Sequence, residues 1–250
     1  MILSVALLPN LAGDISNSVC IVIDVLRATT VVATLFEQRC PRVYAAASHD
    51  TARHYARSNN CVLIGETGGL KVPDFDYGNS PTEFSTIDFT DRPVVISTTN
   101  GTRAIAAVAS APLVLLGAAV NRMAVSRAAW HDAVLNERDI VVVCSGTDRE
   151  FTLEDATVAG LFVEAIAGFA GPWQMPHQTD SAIACRRLWQ YEPNLLRGLM
   201  EGAHARTLGE RGFGDDLGYC VSIDTIDCVP TLVTEQTIAS VPAPVLLIPN

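Results

Sequence analysis

At 250 residues, 49% of them hydrophobic, the chain has enough apolar material for one large α/β core or two small ones. Seventeen basic residues face 27 acidic ones, a net charge of −10, and no run of Lys or Arg stands out, which disfavours nucleic-acid binding. Seven cysteines without a C-x-x-C pair read as buried thiols in a reducing cytoplasm, and no apolar stretch has the length of a membrane-spanning helix.

The opening MILSVALLPN lacks basic residues and a cleavage site, so it reads as a first strand and not as a secretory leader. Short apolar runs then alternate with longer helical patterns, the rhythm of an α/β fold. Strands are expected over 19–24, 42–46, 62–64, 93–98, 113–116 and 140–144. Helices are expected over 28–38, 49–58, 102–109, 121–135 and 153–169, with 180–207 mainly helical. The tail changes character: 218–223, 227–232 and 235–239 read as strands joined by short turns. Their antiparallel pairing would make the whole sheet mixed. Residues 66–84 show little periodicity and carry Pro73 and Pro81 among glycines, as a functional loop does. Residues 1–250 read as a single domain, with 171–180 the one candidate boundary.

In parallel α/β sheets ligands bind beyond the carboxyl ends of strands, so the polar residues that follow each strand are the candidates. Asp24 ends the apolar run CIVID and is followed by Arg27, Thr29 and Thr30. A carboxylate there is a metal ligand, a nucleophile or a helix cap. Thr98-Thr99-Asn100-Gly101-Thr102-Arg103 offers a glycine turn, hydroxyls and an Arg at a helix start, suited to an oxyanion. Cys144-Ser-Gly-Thr-Asp-Arg149 resembles the Cys-x₅-Arg loop of cysteine phosphatases but is one residue short, so Ser145, Gly146 and Thr147 are better read as a second anion loop. In Thr152-Leu-Glu154-Asp155 an acid caps a helix or faces the site as ligand or general acid. Asp215-Asp216 is an acidic pair able to hold Mg²⁺. Asp24, Glu66, Asp155 and Asp216 together would make a hard-cation site. No H-E-x-x-H, Walker, G-x-G-x-x-G or G-x-S-x-G pattern is present.

Five blocks in order, IVIDVLRATT, GETGGLKVPDFDYGNSP, STTNGTRA, CSGTDREFTLEDATVAG and GFGDDLGYCVSID, resemble the 2-phosphosulfolactate phosphatase family over about residues 20–230. The resemblance implies a three-layer α/β/α fold with a mixed sheet, and a Mg²⁺-dependent phosphatase that releases phosphate from 2-phosphosulfolactate towards coenzyme M. On this reading Asp24, Glu66 and Asp216 hold Mg²⁺, while Asp24, Arg27 and Asp155 carry the chemistry. Asn79, Ser80, the 99–103 loop and 145–147 hold the phosphate. An aspartyl-phosphate on Asp24 and direct attack by water are both open. A phosphatase for another phospho-acid and a non-catalytic anion-binding protein of the same fold are the alternatives. The expected partners are a small phosphorylated acid and a second copy of the chain, with no membrane.

Overall fold

The computed structural model describes residues 1–171, 175–233 and 245–249. Its first half runs β1 (Ile2–Ala6), β2 (Ser18–Ile23), α1 (Ala28–Glu37), β3 (Val43–Ala45), α2 (His49–Asn59), β4 (Val62–Thr67), β5 (Leu70–Lys71), α3 (Pro81–Phe84), β6 (Val94–Ser97), α4 (Gly101–Ala107) and β7 (Leu113–Gly117). The second half adds α5 (Arg122–Leu135), β8 (Asp139–Cys144), α6 (Leu153–Phe169), β9 (His177–Gln178), α7 (Asp180–Tyr191), α8 (Leu195–Met200), α9 (Ala203–Glu210), α10 (Gly214–Cys220), β10 (Thr231–Val233) and β11 (Val245–Ile248).

The strands form one mixed sheet in the order β5-β4-β6-β3-β11-β10-β7-β2-β8-β1-β9. β7, β2, β8, β1 and β9 are parallel, as are β4, β6 and β3. The C-terminal pair β10–β11 is antiparallel and lies in the middle, joining the two parallel halves. Side chains alternate across the sheet as a strand demands. Val19, Ile21 and Ile23 of β2 enter the core beneath α5, α6 and α7, whereas Cys20 and Val22 enter the core that contains α1 and α4.

α1 decides the shape. Nine of its ten residues, Ala28 to Phe36, are buried. A helix apolar all round must be enclosed on every side. The core around it draws residues from β2 and β8 and also from β4 and β6, which lie far apart in the strand order. The sheet therefore curls around α1 and brings the carboxyl ends of both halves to one place.

Three sequence expectations change. Residues 218–223 are not a strand: Gly218 to Cys220 complete α10, which turns Asp216, Leu217 and Cys220 inward. The segment 66–84 is not structureless, since it holds the β4–β5 hairpin and α3. Of 227–232, only the end is strand, and β10 begins at Thr231. The expected strand 235–239 lies outside the described residues. On either side of 171–180, α6 and α7 touch so closely that a Cβ on Gly160 would meet the Cys185 carbonyl. Among the described residues no helix is long and apolar enough to cross a membrane.

Candidate active site

A cavity of about 670 Å³ opens over the carboxyl ends of β2, β4, β6 and β8. Its walls include Asp24, Arg27, Glu66, Asn79, Thr99, Asn100, Thr147 and Glu154, with α9 closing the far side. Six carboxylate side chains reach this wall (Asp24, Glu66, Asp148, Glu150, Glu154 and Glu201), against two arginines, Arg27 and Arg211.

Asp24 follows β2 and is 7% exposed. Its turn is locked by threonines. Thr29 Oγ1 donates to the Asp24 carbonyl and accepts from its amide, and Thr30 Oγ1 donates to the Val25 carbonyl. The Asp24 Oδ1 accepts from the Ala28 amide at 3.2 Å, so the carboxylate also caps α1. Gly101 stands against the other oxygen: a Cβ there would come within 2.6 Å of both Asp24 Oδ2 and the Ala28 methyl. Glycine is required because the α4 backbone approaches the carboxylate this closely.

The acids raise one another. Burial first, then the Asp155 charge, lifts Asp24 well above the usual carboxylate range, with Glu66 and Glu154 adding to it. Burial and then Asp155 push Glu154 up to about 7. Asp155 is also raised by burial, offset by hydrogen bonds from the Val25 amide, the Ser145 hydroxyl and the Gly146 amide. Desolvation acts on all three, like charge adds to it at Asp24 and Glu154, and hydrogen bonds oppose it.

Glu66 is held differently. The β4–β5 hairpin closes through the two-residue turn Gly68-Gly69, with φ of 57° and 83°. Both positive angles fit a type I′ turn, which glycine forms without strain. The turn directs the Gly69 amide to Glu66 Oε2 at 2.6 Å, and the Thr99 amide donates to Oε1 at 2.7 Å. Glu66 thus occupies a nest of backbone donors at the tops of β4 and β6.

Arg27 is 2% exposed and bonded on both terminal nitrogens. Its Nη1 lies 2.6 Å from Asp216 Oδ2, Nη2 donates to the Gly69 carbonyl at 2.7 Å, and its face stacks on Phe213. Asp216 Oδ1 accepts from Ser80 Oγ, Thr82 Oγ1 and the Thr82 amide. This buried pair ties α1, the Gly68-Gly69 turn, α3 and α10 together.

A family model described as 2-phosphosulpholactate phosphatase matches residues 6–235. The chain belongs to the 2-phosphosulfolactate phosphatase family. It is similar to probable 2-phosphosulfolactate phosphatases of Deinococcus radiodurans, 37% identical over 86% of this chain and 88% of the relative, and Thermus thermophilus, 35% identical over 86% and 87%. A third relative of that description, from Symbiobacterium thermophilum, is 32% identical over 91% of this chain and 96% of its own.

Within this family member, the sequence candidates separate into two groups. Asp24, Arg27, Glu66, Asn79, Thr99, Asn100 and Thr147 stand on the cavity wall. Ser80, Gly101, Thr102, Arg103, Ser145, Gly146, Asp155 and Asp216 are off that wall, although most of them hold residues on it. Most amides of the two expected anion loops are spent inside the protein, those of Asn100 and Gly101 at the start of α4 being the exceptions. Thr99 N serves Glu66, Thr102 N serves Thr98 Oγ1, Gly146 N serves Asp155, and Thr147 N serves the Glu150 carbonyl. Ser145 N donates to the Ile23 carbonyl. Arg103 is exposed. Asp216 is off the cavity wall, with Arg27 on Oδ2 and Ser80 and Thr82 on Oδ1. Cys144 is 1% exposed, and burial raises its thiol well above the usual value, opposite to what a thiolate nucleophile needs.

The wall also holds residues that carried no sequence signal by themselves: His204, Thr207, Leu208 and Arg211. Their spacing of 3, 1 and 3 marks one face of α9 and its end, legible only once a helix there is known to border a site. Asn79 is 5% exposed, and its Oδ1 accepts no hydrogen bond in the structure, an orphaned acceptor on the cavity wall.

The donor set can be tested against a divalent cation. Among the described residues no group of three or more His, Cys, Asp or Glu side chains is arranged as a metal cage. Mg²⁺ does not need one: it binds through one or two carboxylates, keeps several waters and takes oxygen from phosphate. Asp24 and Glu66 supply hard oxygens, Asn79 Oδ1 supplies an unused acceptor, and the buried acids lack a countercharge. The residues present fit Mg²⁺ on those terms.

Proposed function

We propose that the chain is a Mg²⁺-dependent phosphatase of small phosphorylated acids, with 2-phosphosulfolactate, the compound in its relatives' names, as the first candidate substrate. One observation carries this reading: Asp24, Glu154 and Asp155 are buried together beside a ligand-sized cavity whose wall Glu66 also joins. An anionic substrate could not enter so acidic a wall without a countercharge. Asp24 and Glu66 would hold Mg²⁺, which offsets phosphoryl charge and orients an in-line displacement.

The chain's own groups do the rest. Arg27, fixed by Asp216, holds the Gly68-Gly69 turn and so keeps Glu66 facing the cavity. The side-chain amides of Asn79 and Asn100 stand where neutral donors can orient phosphoryl oxygens, and Asn100 Oδ1 ties the two loops together by accepting from the Asp148 amide at 3.1 Å. Glu154 takes the general-acid role that Asp155 was expected to fill. It stands on the wall, and its carboxyl accepts no hydrogen bond from another described residue, whereas both Asp155 oxygens are engaged. The displaced alkoxide needs a proton, and Glu154 can deliver it.

The test is phosphate release from racemic 2-phosphosulfolactate and a panel of phospho-acids, with Mg²⁺ or with EDTA. Release that EDTA abolishes is expected. A folded protein that releases phosphate from none of these compounds in Mg²⁺ would overturn the reading in favour of a binding role.

A further inference from the structure

Part of the wall is built by α9 and its two ends. His204 anchors it, because Nε2 lies 3.0 Å from the Leu26 carbonyl, and a carbonyl can only accept. The next residue in sequence is Arg27, so this bond fixes α9 against the turn that follows Asp24. Three and seven residues on, Thr207 and Arg211 face the same cavity. Arg211 Nη1 donates to the Gly68 carbonyl, and its guanidinium lies over the Gly68-Gly69 turn, where a Cβ on Gly69 would come within 3.3 Å of Nη1. Gly69, without a side chain, gives this guanidinium the room to lie there.

The two arginines on the wall differ in what they have left to offer. Arg27 is neutralised by Asp216 and buried by Phe213. Arg211 is exposed to the cavity mouth, and no carboxylate among the described residues lies within ion-pair distance of it. One of its five N–H groups is used for orientation, which leaves a preset fork for an anion. Thr207 Oγ1 donates to the Ala203 carbonyl and keeps its lone pairs. Among the described residues, Arg211 is therefore the cavity-wall arginine without a carboxylate partner.

We propose that Arg211, positioned by the Gly68 carbonyl on the α9 wall, binds the second acidic group of the substrate, a sulfonate or carboxylate, and so selects phospho-acids over neutral phosphate esters. The inference rests on the phosphatase reading and adds the residue that sets its substrate class. On this reading the phosphoryl group goes to Asp24 and Glu66 with their cation, and the acid group goes to Arg211. Glu66 and Arg211 both bond to the Gly68-Gly69 turn, so the two ends of the substrate are gauged against one element.

The experiment compares wild type with Arg211→Gln and Arg211→Lys on two esters, 2-phosphosulfolactate and glycerol 2-phosphate, which has no second acid. Arg211→Gln is expected to raise KM for the phospho-acid by about ten- to hundredfold, the worth of a charge-assisted hydrogen bond. The effect on kcat should be smaller, and glycerol 2-phosphate turnover should fall far less than that of the phospho-acid. Arg211→Lys should restore part of the loss. Equal loss on both esters, or no loss on either, overturns the proposal and leaves the phosphatase reading standing. Calorimetric binding of 3-sulfolactate in the presence of Mg²⁺ provides a readout that needs no turnover. If wild type hydrolyses neither ester but binds 3-sulfolactate, and Arg211→Gln does not, the phosphatase reading fails and the acid subsite stands. If wild type neither turns over nor binds these compounds, both fail. Arg211 is exposed, so a retained melting temperature in each variant separates lost binding from lost fold.

Discussion

Asp216 and Asp24 are both buried acids near the ends of elements, yet their surroundings give them opposite work. Asp216 has Arg27 at 2.6 Å and three further donors, so its charge is balanced inside the protein. Asp24 has one amide and three neighbouring acids. Removing the partner of a buried ion leaves an uncompensated charge, at a cost of about 3–5 kcal/mol. Asp216→Ala is accordingly expected to lower unfolding stability by about that amount, measured in urea, because Arg27 is stranded. An Asp216→Ala protein of unchanged stability would show that Arg27 has another partner. The sequence signalled Asp216 as half of an acidic pair but did not show where its charge was balanced. That depends on Arg27, 189 positions away. For Asp24 the local sequence was enough, because an acid that ends a fully apolar run must be answered by something polar nearby. Glu154 and Asp155 are adjacent, and only the course of α6 decides which of them reaches the cavity.

At the scale of elements, the β2-to-α1 passage was legible because its apolar run ends abruptly and two threonines lock the turn. The Gly68-Gly69 turn was visible as composition but not as a hairpin, since β5 is two residues long and exposes both. α10 was misread for a physical reason: Tyr219, Val221 and Ile223 alternate at the period of a strand, and in so short a helix the inward pair Leu217 and Cys220, three apart, is too brief a signal to outweigh it. Gly101 lies where α4 meets Asp24, and its lack of a side chain belongs to the site. In Gly101→Ala the new methyl must displace Asp24 Oδ2 or the Ala28 methyl. The expected result is a loss of kcat of about a hundredfold with KM little changed, the scale of a misplaced reacting group. Wild-type kcat in Gly101→Ala would show that Asp24 is free to move.

At the scale of the whole molecule, nothing local in 231–233 or 245–248 states that these strands enter the middle of the sheet. Strand order is set by which edges remain unpaired after the parallel units form. The curl around α1 follows from the apolar content of 28–36, which was legible, but the meeting of β4 and β6 with β2 and β8 was not. Gathering acids from separate strands makes stability depend on pH. Glu154 titrates near 4.5 when unfolded and at about 7 when folded, and Asp24 and Asp155 are raised in the same direction. A raised acid binds its proton more tightly in the folded state, so its contribution is complete below about 4.5 and is lost as pH rises through about 7. Metal-free protein should therefore lose melting temperature across that interval, and Glu154→Gln should flatten the decline. A metal-free protein whose stability rises across the same interval, with no change in Glu154→Gln, would contradict the shared burial of these acids.

The most direct measurement is a Mg²⁺ titration of metal-free wild type and Asp24→Asn, following melting temperature and phosphate release together. The account expects wild type to gain both melting temperature and turnover with Mg²⁺. Asp24→Asn should start at a higher metal-free melting temperature, because a buried like charge is gone, gain little from Mg²⁺, and release phosphate about a hundred- to thousandfold more slowly. A variant that binds Mg²⁺ and turns over as wild type does would show that the cation and the chemistry lie elsewhere than at Asp24.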